Sequence, residues 1–168
     1  MRSRYLSIIV IPIIVLLLDQ LSKSIIDTHM ELYESREIVR HFFHITYIRN
    51  PGAAFGFLAN ESHPAIRYFF MAATLLAIGV ILLMYQKNEA QGSLLRVSLS
   101  LILGGALGNF IDRLRFGEVI DFLDVHWYQY HWPAFNVADT CITLGVIGLL
   151  WASVQESRSR KKAGLVPF

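Results

Sequence analysis

The 168-residue chain has a single cysteine, Cys141, so no intrachain disulfide can brace it. A lone Cys among apolar neighbours is ordinarily a small buried hydrophobe. Charge is scarce too: Asp, Glu, Lys and Arg make up 17% of the residues, against about 25% in an average soluble domain. The formal net charge is +2 and the basic residues gather at the termini instead of forming a stripe, which argues against a nucleic-acid surface. No metal-binding spacing is present. The six histidines (His29, His41, His44, His63, His126 and His131) are scattered, and the closest pair, His41 and His44, reads as interfacial polar residues. Internal repeats and low-complexity linkers are also lacking, and the length suggests one domain, residues 1–168.

Apolar residues are plentiful. They form 54% of the chain, and the mean hydropathy is +0.46. They fall into runs at about residues 5–26, 65–85, 94–114 and 137–154, each close to the roughly 20 residues that cross a hydrocarbon core. The apolar core of the first run, Leu6–Leu18, is short enough to suggest a signal-peptide h-region. No small-residue cleavage site follows it, so it reads as an uncleaved span with a polar outer end.

Lys and Arg near the span ends set the orientation. Arg2 and Arg4 precede the first span, Lys87 and Arg96 bracket the link between the second and third, and Arg158, Arg160, Lys161 and Lys162 follow the fourth. In a four-span model these places share one side, which is then cytoplasmic and holds both termini. The two remaining connections face outward and carry most of the acids, alongside Arg36, Arg40 and Arg49.

The first outer connection is too long for a plain loop. Residues 38–49 are rich in β-branched and aromatic types, Asn50-Pro51-Gly52 reads as a turn, and 53–58 suit a returning strand. The aromatics of the second outer connection, 112–136, suit a membrane–water interface. The expected fold class is an all-α integral membrane protein: four transmembrane helices with a small β element, about 38–58, on the outer, periplasmic face.

The polar residues of the spans are not spread through the membrane depth. Asp19 and Lys23 lie four apart on one face near the outer end of the first span, and Asn109, Asp112 and Arg113 lie at the outer end of the third. Asn136 and Asp139 open the fourth, and Asp121 stands in the connection before it. Each has a plainer explanation. Asp19 and Lys23 suit an interfacial ion pair, Asp112 and Arg113 a local pair at a helix end, Asn136 and Asp139 a capping box, and Asp121 an ordinary loop acid. Ionisable groups at membrane depth are costly and are candidate functional groups by default. Their shared depth and face favour a site. Gly104 and Gly108 form a small-xxx-small pattern that allows close helix approach just below it.

If the carboxyls of Asp121 and Asp139 meet in a partly desolvated pocket, they cannot both ionise easily and share a proton. Such a pair can activate water against a peptide carbonyl and protonate the leaving amine. That chemistry needs no metal, cofactor or nucleophilic Ser or Cys. Two readings of other classes compete: a small transporter or channel relaying an ion through the acids and Lys23, and a non-catalytic membrane scaffold. A transporter expects polar groups throughout the depth, and the inner halves of these spans are nearly apolar.

Five blocks resemble a known family in its own order: Leu18-Asp19-Gln20-Leu21-Ser22-Lys23, Asn50-Pro51-Gly52-Ala53-Ala54-Phe55, the run Gly104–Arg113, Gly117-Glu118-Val119-Ile120-Asp121-Phe122, and the run Pro133–Thr140. The family is the lipoprotein signal peptidases, also called signal peptidase II. The second block departs mildly from the pattern at Arg49 and Pro51. The resemblance implies an aspartic endopeptidase of the bacterial cytoplasmic membrane, multi-pass, with its site near the outer face. Its substrates are prolipoproteins carrying a diacylglyceryl group, cut just before the lipidated cysteine, and its inhibitor is the cyclic peptide globomycin. By the same resemblance Asp121 and Asp139 are catalytic, while Asp19, Lys23, Asn50, Asn109, Asp112, Arg113 and Asn136 bind substrate or support the site. Such a substrate enters sideways from the lipid, so the outer β element and part of the first outer connection are expected to cover a lateral opening.

Overall fold

The computed structural model describes residues 2–52, 64–87 and 92–162. Among them the chain runs through helix α1 (Arg2–His29), strands β1 (Ser35–Val39) and β2 (Phe43–Asn50), helices α2 (Pro64–Lys87) and α3 (Ser93–Phe116), strands β3 (Val119–Trp127) and β4 (Tyr130–His131), and helix α4 (Val137–Lys162). Each helix contains a stretch long and apolar enough to span a bilayer: Leu6–His29, Ile66–Gln86, Ser93–Phe116 and Val137–Ser159. Their outward faces carry Leu17, Leu21, Phe69, Leu76, Ile147 and Trp151, all more than half exposed. Apolar exposure of this extent is stable against lipid and not against water. The chain is a multi-pass membrane protein.

Helix α3 is the hub, packed most extensively on α4 and α1 and also on α2. Small residues allow this. A Cβ on Gly104 would stand 2.7 Å from Val15 Cβ and 2.9 Å from Pro12 Cα of α1, one on Gly105 would strike the Ala138 carbonyl oxygen of α4, and one on Gly108 would lie 2.5 Å from Asp19 Oδ2. The three glycines thus bring two other backbones, and one carboxylate, against α3. Away from the sheet, Ile81, Tyr85, Leu99 and Leu103 fill a second apolar cluster.

Helix α3 ends at Gly117, whose left-handed φ of 84° a residue with a Cβ disfavours and whose N–H caps Arg113 O. The chain then enters β3, the centre of a four-stranded antiparallel sheet ordered β1-β2-β3-β4. The sheet covers the end of the bundle where α1 and α3 finish and α4 begins. Ile26 and Met30 of α1 pack there against Tyr47, Ile120 and Phe122.

The sheet differs from the expected hairpin. Strand β2 pairs with β1 before it and with β3 from the second connection, while the expected return strand, 53–58, lies outside the described residues. The strands in 119–131 escaped the sequence reading because β3 is buried on both faces over most of its length, so the polar–apolar alternation of a half-buried strand is missing. Its acids, Asp121 and Asp124, fall on opposite faces and blur what alternation remains.

Candidate active site

Segments of α1, β2, α3, β3 and the start of α4 meet where the sheet joins the bundle. Leu123 bridges to Phe135, whose carbonyl accepts the N–H groups of Phe122 (3.0 Å) and Leu123 (2.8 Å). This folds the connection after β3 back on itself and sets Asn136 beside Asp121. Asn136 also caps α4: its Oδ1 accepts the Asp139 N–H at 2.9 Å, and Asp139 Oδ2 accepts the Asn136 N–H at 3.3 Å. That reciprocal pair is a capping box, and it fixes Asp139 on the first turn of α4. The cap and the site are one arrangement, because Asn136 Nδ2 also donates to Asp121 Oδ1 at 2.7 Å. Asn136 therefore touches both carboxylates.

Asp121 is 2% exposed. Its other oxygen accepts Asn50 Nδ2 at 2.9 Å. The Asn50-Pro51-Gly52 turn aims that amide: Asn50 Oδ1 accepts the Gly52 N–H at 2.9 Å, leaving Nδ2 for the carboxylate. Gly52 has a φ of 120° and its Cα faces the Phe70 ring, so glycine is required there twice over. Burial, and then the nearby charge of Asp139, push the Asp121 carboxyl up to about 7, against the opposing hydrogen bonds from Asn50 and Asn136 and the charge of Lys23. Asp139 is less enclosed. It lines a cavity of about 410 Å³ with Trp132, Phe135, Thr140, Thr143 and Leu144.

Beneath the two carboxylates lies a buried ionic cluster. Lys23 Nζ contacts Asp19 Oδ2 at 2.8 Å, Asp112 Oδ2 at 2.8 Å and Asn109 Oδ1 at 2.9 Å, which uses all three of its donors. Since an ammonium only donates, the Asn109 oxygen must face Lys23, and its Nδ2 is turned to Asp139 Oδ1 at 2.7 Å. Asp19 Oδ1 accepts the Ala138 N–H at 2.9 Å, tying α1 to the start of α4, and Asp112 Oδ2 accepts the Ile120 N–H at 3.2 Å, tying α3 to β3.

The structure joins the nine residues named from the sequence. Asp19, Lys23, Asn50, Asn109, Asp112, Asp121, Asn136 and Asp139 form one hydrogen-bonded network. Arg113 attaches through Nη1 to Asn109 O at 3.4 Å, stands over the Phe70 ring, and feels the charges of Asp139 and Asp121. Asp112 and Arg113 make no local pair, since neighbours in a helix point apart, and Asp112 takes Lys23 instead. The Asp19–Lys23 pair is buried, not interfacial.

Two contributors were missed. Gln20 Nε2 donates to Asp112 Oδ1 at 2.8 Å and lies 3.2 Å from both Asp19 Oδ2 and Gly108 O. Its position between Asp19 and Lys23 in an apolar span was the available signal. Arg49 bonds Asp27 Oδ1 and Tyr47 Oη, each at 2.7 Å, and stacks over Phe116, clamping β2 just before Asn50. That clamp crosses from strand to helix and leaves no mark in local spacing.

Fold and site together define a multi-pass membrane protein with two neighbouring carboxylates held by asparagines over a buried ion cluster. Residues 11–155 match the model of the Signal peptidase (SPase) II family. The lipoprotein signal peptidase of Syntrophus aciditrophicus is 50% identical over 147 residues, covering 88% of this chain and 91% of that protein. That of Geobacter metallireducens is 46% identical over 162 residues, covering 96% and 99%. A bacterial membrane enzyme solved by the in meso method at 2.3 Å resolution superposes with a TM-score of 0.79 at 37% identity, covering 91% of this chain and 90% of that one. The chain belongs to the signal peptidase II family, a family of membrane peptidases.

Proposed function

We propose that this chain, as a single membrane domain, is an aspartic endopeptidase. It removes the signal peptide from diacylglyceryl-modified prolipoproteins by cutting just before the lipidated cysteine. The observation that carries the aspartic assignment is Asn136, which holds Asp121 through its side chain and Asp139 through its capping box. With Asp121 titrating near 7, the pair holds one shared proton close to neutrality. Asp139, on the cavity side, takes a proton as water attacks the scissile carbonyl, and protonated Asp121 hydrogen-bonds the carbonyl oxygen. Collapse of the tetrahedral intermediate breaks the C–N bond while the pair returns a proton to the leaving amine. Asp19, Lys23, Asn50, Asn109, Asp112, Arg113 and Asn136 position these groups or bind substrate, and no cofactor or metal enters the chemistry.

On this reading both termini lie in the cytoplasm of a bacterium, and the sheet and site lie at the outer face of its cytoplasmic membrane. The positive-inside tendency supports it, since Arg2, Arg4, Arg96 and the run after Arg158 fall toward the helix ends opposite the sheet. Strand β2 brings Asn50 onto Asp121, so part of the first outer connection roofs the site that a lipidated peptide enters from the bilayer. By the family resemblance, the cyclic peptide globomycin inhibits the enzyme.

Purified protein assayed on diacylglyceryl-modified and unmodified precursor tests the proposal. The modified precursor is cut and the unmodified one is not, while Asp121→Asn and Asp139→Asn lose at least about 10²-fold in rate with folding preserved. Near wild-type cleavage by either variant rules out the pair.

A further inference from the structure

A second group of chemistry-bearing side chains sits on the sheet, outside the network above. Asp124 and His126 are two residues apart on β3 and share a face, opposite to that of Asp121. His44 of β2 stands across from Asp124, and His131 of β4 across from His126. The imidazoles of His44 and His126 meet edge to face with centroids 4.3 Å apart, and His131 stacks on the far side of His126 at 4.6 Å. Metal-ligating atoms of His44, Asp124 and His126 all lie within 4.8 Å of one another.

Two of these residues are buried, Asp124 at 8% and His126 at 6% exposure. The Nδ1 atom of His126 is buried and has no hydrogen-bond partner among the described residues. A buried polar atom left without a partner is unusual enough in a native fold to require a cause, and a role as an ion ligand is one. Each neighbouring ligand already has an outer partner. Thr46 Oγ1 donates to Asp124 Oδ2 at 3.2 Å, His131 Nδ1 lies 2.9 Å from Asp124 Oδ1, Ser35 Oγ lies 3.3 Å from His44 Nδ1, and Glu37 Oε1 lies 3.9 Å from His44 Nε2. Contacts of this kind orient metal ligands.

We infer that His44, Asp124 and His126 bind a divalent transition-metal ion of the zinc type, with half-exposed His131 orienting the Asp124 carboxylate from outside. Two imidazoles and one carboxylate suit zinc, cobalt or nickel and not the all-oxygen shells of magnesium or calcium. Bonds of about 2.0–2.2 Å set tetrahedral donors about 3.3 Å apart. The cluster reaches this by drawing its ligand atoms together through small side-chain rotations. The ion joins β2 to β3, the strands that carry Asn50 and Asp121. Its role is to brace that pairing, and it takes no part in peptide hydrolysis.

The test uses the full chain in detergent, free of any affinity tag, stripped with a chelator and titrated with Co²⁺. Visible ligand-field absorption reports binding, and Zn²⁺ displaces the Co²⁺. One Co²⁺ binds per chain with the intense absorption of a four- or five-coordinate site, and Zn²⁺ raises the Tm. His44→Gln, Asp124→Asn and His126→Gln each weaken binding by about 100-fold or more and abolish the Tm increase, while His29→Gln and His41→Gln leave both unchanged. His44 is partly exposed, so its variant keeps the test decisive if His126→Gln does not fold. Absence of a Co²⁺ spectrum, or equal binding by wild type and the His44 and Asp124 variants, overturns the site.

Discussion

Replacing Lys23 by Met leaves two carboxylates in the protein interior without their cation. Lys23, Asp19 and Asp112 have side-chain exposures of 2%, 0% and 1%, and both ion pairs measure 2.8 Å. Solvent therefore cannot take over from the missing ammonium. Breaking a buried pair by deleting one partner costs about 3–5 kcal/mol, and here two anions are orphaned together. For a chain of this length that corresponds to a fall in Tm of about 6–20 °C. The cost comes from uncompensated charge more than from lost attraction, and this makes the reasoning testable by a second step. In Lys23→Met/Asp19→Asn/Asp112→Asn no charge is left, and the new amide oxygens can still accept the Ala138 and Ile120 N–H groups now bonded to the carboxylates. The triple variant should regain at least half of the lost Tm in thermal unfolding of the detergent-solubilised protein. It should not regain full activity, since Asn109 Oδ1 has lost the nearer and charged of the two donors, Lys23 and Asn136, that turn its amide toward Asp139. A Lys23→Met shift below about 3 °C, or a triple variant no more stable than the single one, refutes the argument.

Three further outcomes follow from the same geometry. Asp121 titrates near 7 in the fold against 3.8 ordinarily, so the folded state holds this proton where the unfolded state has released it. The associated stability, about 4 kcal/mol, is complete below pH 3.8 and is lost as pH rises to about 7. The Tm of wild type relative to Asp121→Asn should fall across that window and level off above it, and a constant difference from pH 4 to 8 contradicts the assignment. Asn50→Ala removes a hydrogen bond that holds the Asp121 carboxyl down, so the alkaline limb of the kcat/KM profile should move to higher pH, whereas loss of amplitude alone indicates a role in packing only. Gly105→Ala drives a Cβ into the Ala138 backbone and should cost about 1–3 kcal/mol in unfolding measurements, while Gly79→Ala, with open space around it, should be neutral or slightly stabilising.

The helices were legible in the sequence because a bilayer demands long uninterrupted apolar stretches, and few other structures in a chain this short produce them. The depth of Asp19, Lys23, Asn109 and Asp112 followed from counting along those stretches. Their pairing did not. Both Arg113 and Lys23 were available to Asp112, and only the packing of α1 on α3 through Gly104 and Gly108 brings Lys23 to it. Strand β3 was hidden for the opposite reason to the helices, since burial on both faces removed its periodicity. The proximity of Asp121 to Asp139 depended on the Leu123–Phe135 bridge, a contact between main chains in which side-chain identity has little part. The cluster of His44, Asp124 and His126 was likewise invisible to spacing, because strand pairing assembles it from segments about 80 residues apart.

The distribution of charge and amide around the two aspartates bears on why the site takes this form. An ammonium or guanidinium in direct contact with a carboxylate lowers its pKa by about 1–3 units and, on the proposed aspartic mechanism, would keep both aspartates ionised with no proton to deliver. The direct side-chain partners of Asp121 and Asp139 in the network are amides, Asn50 and Asn136 on one and Asn109 on the other. Amides fix geometry at a smaller electrostatic cost to the protonated form. Lys23 stays one residue back, with Asn109 between it and Asp139, so its charge orients the network without fastening on either carboxylate. On the aspartic-peptidase reading, Asn109→Lys is then more damaging than its loss of packing predicts. The ammonium would pair directly with Asp139, hold the proton off the dyad, and shift the alkaline limb of the rate profile to lower pH. A variant that folds, retains substantial activity and shows an unmoved profile would falsify the idea that neutral donors are what keep the shared proton available.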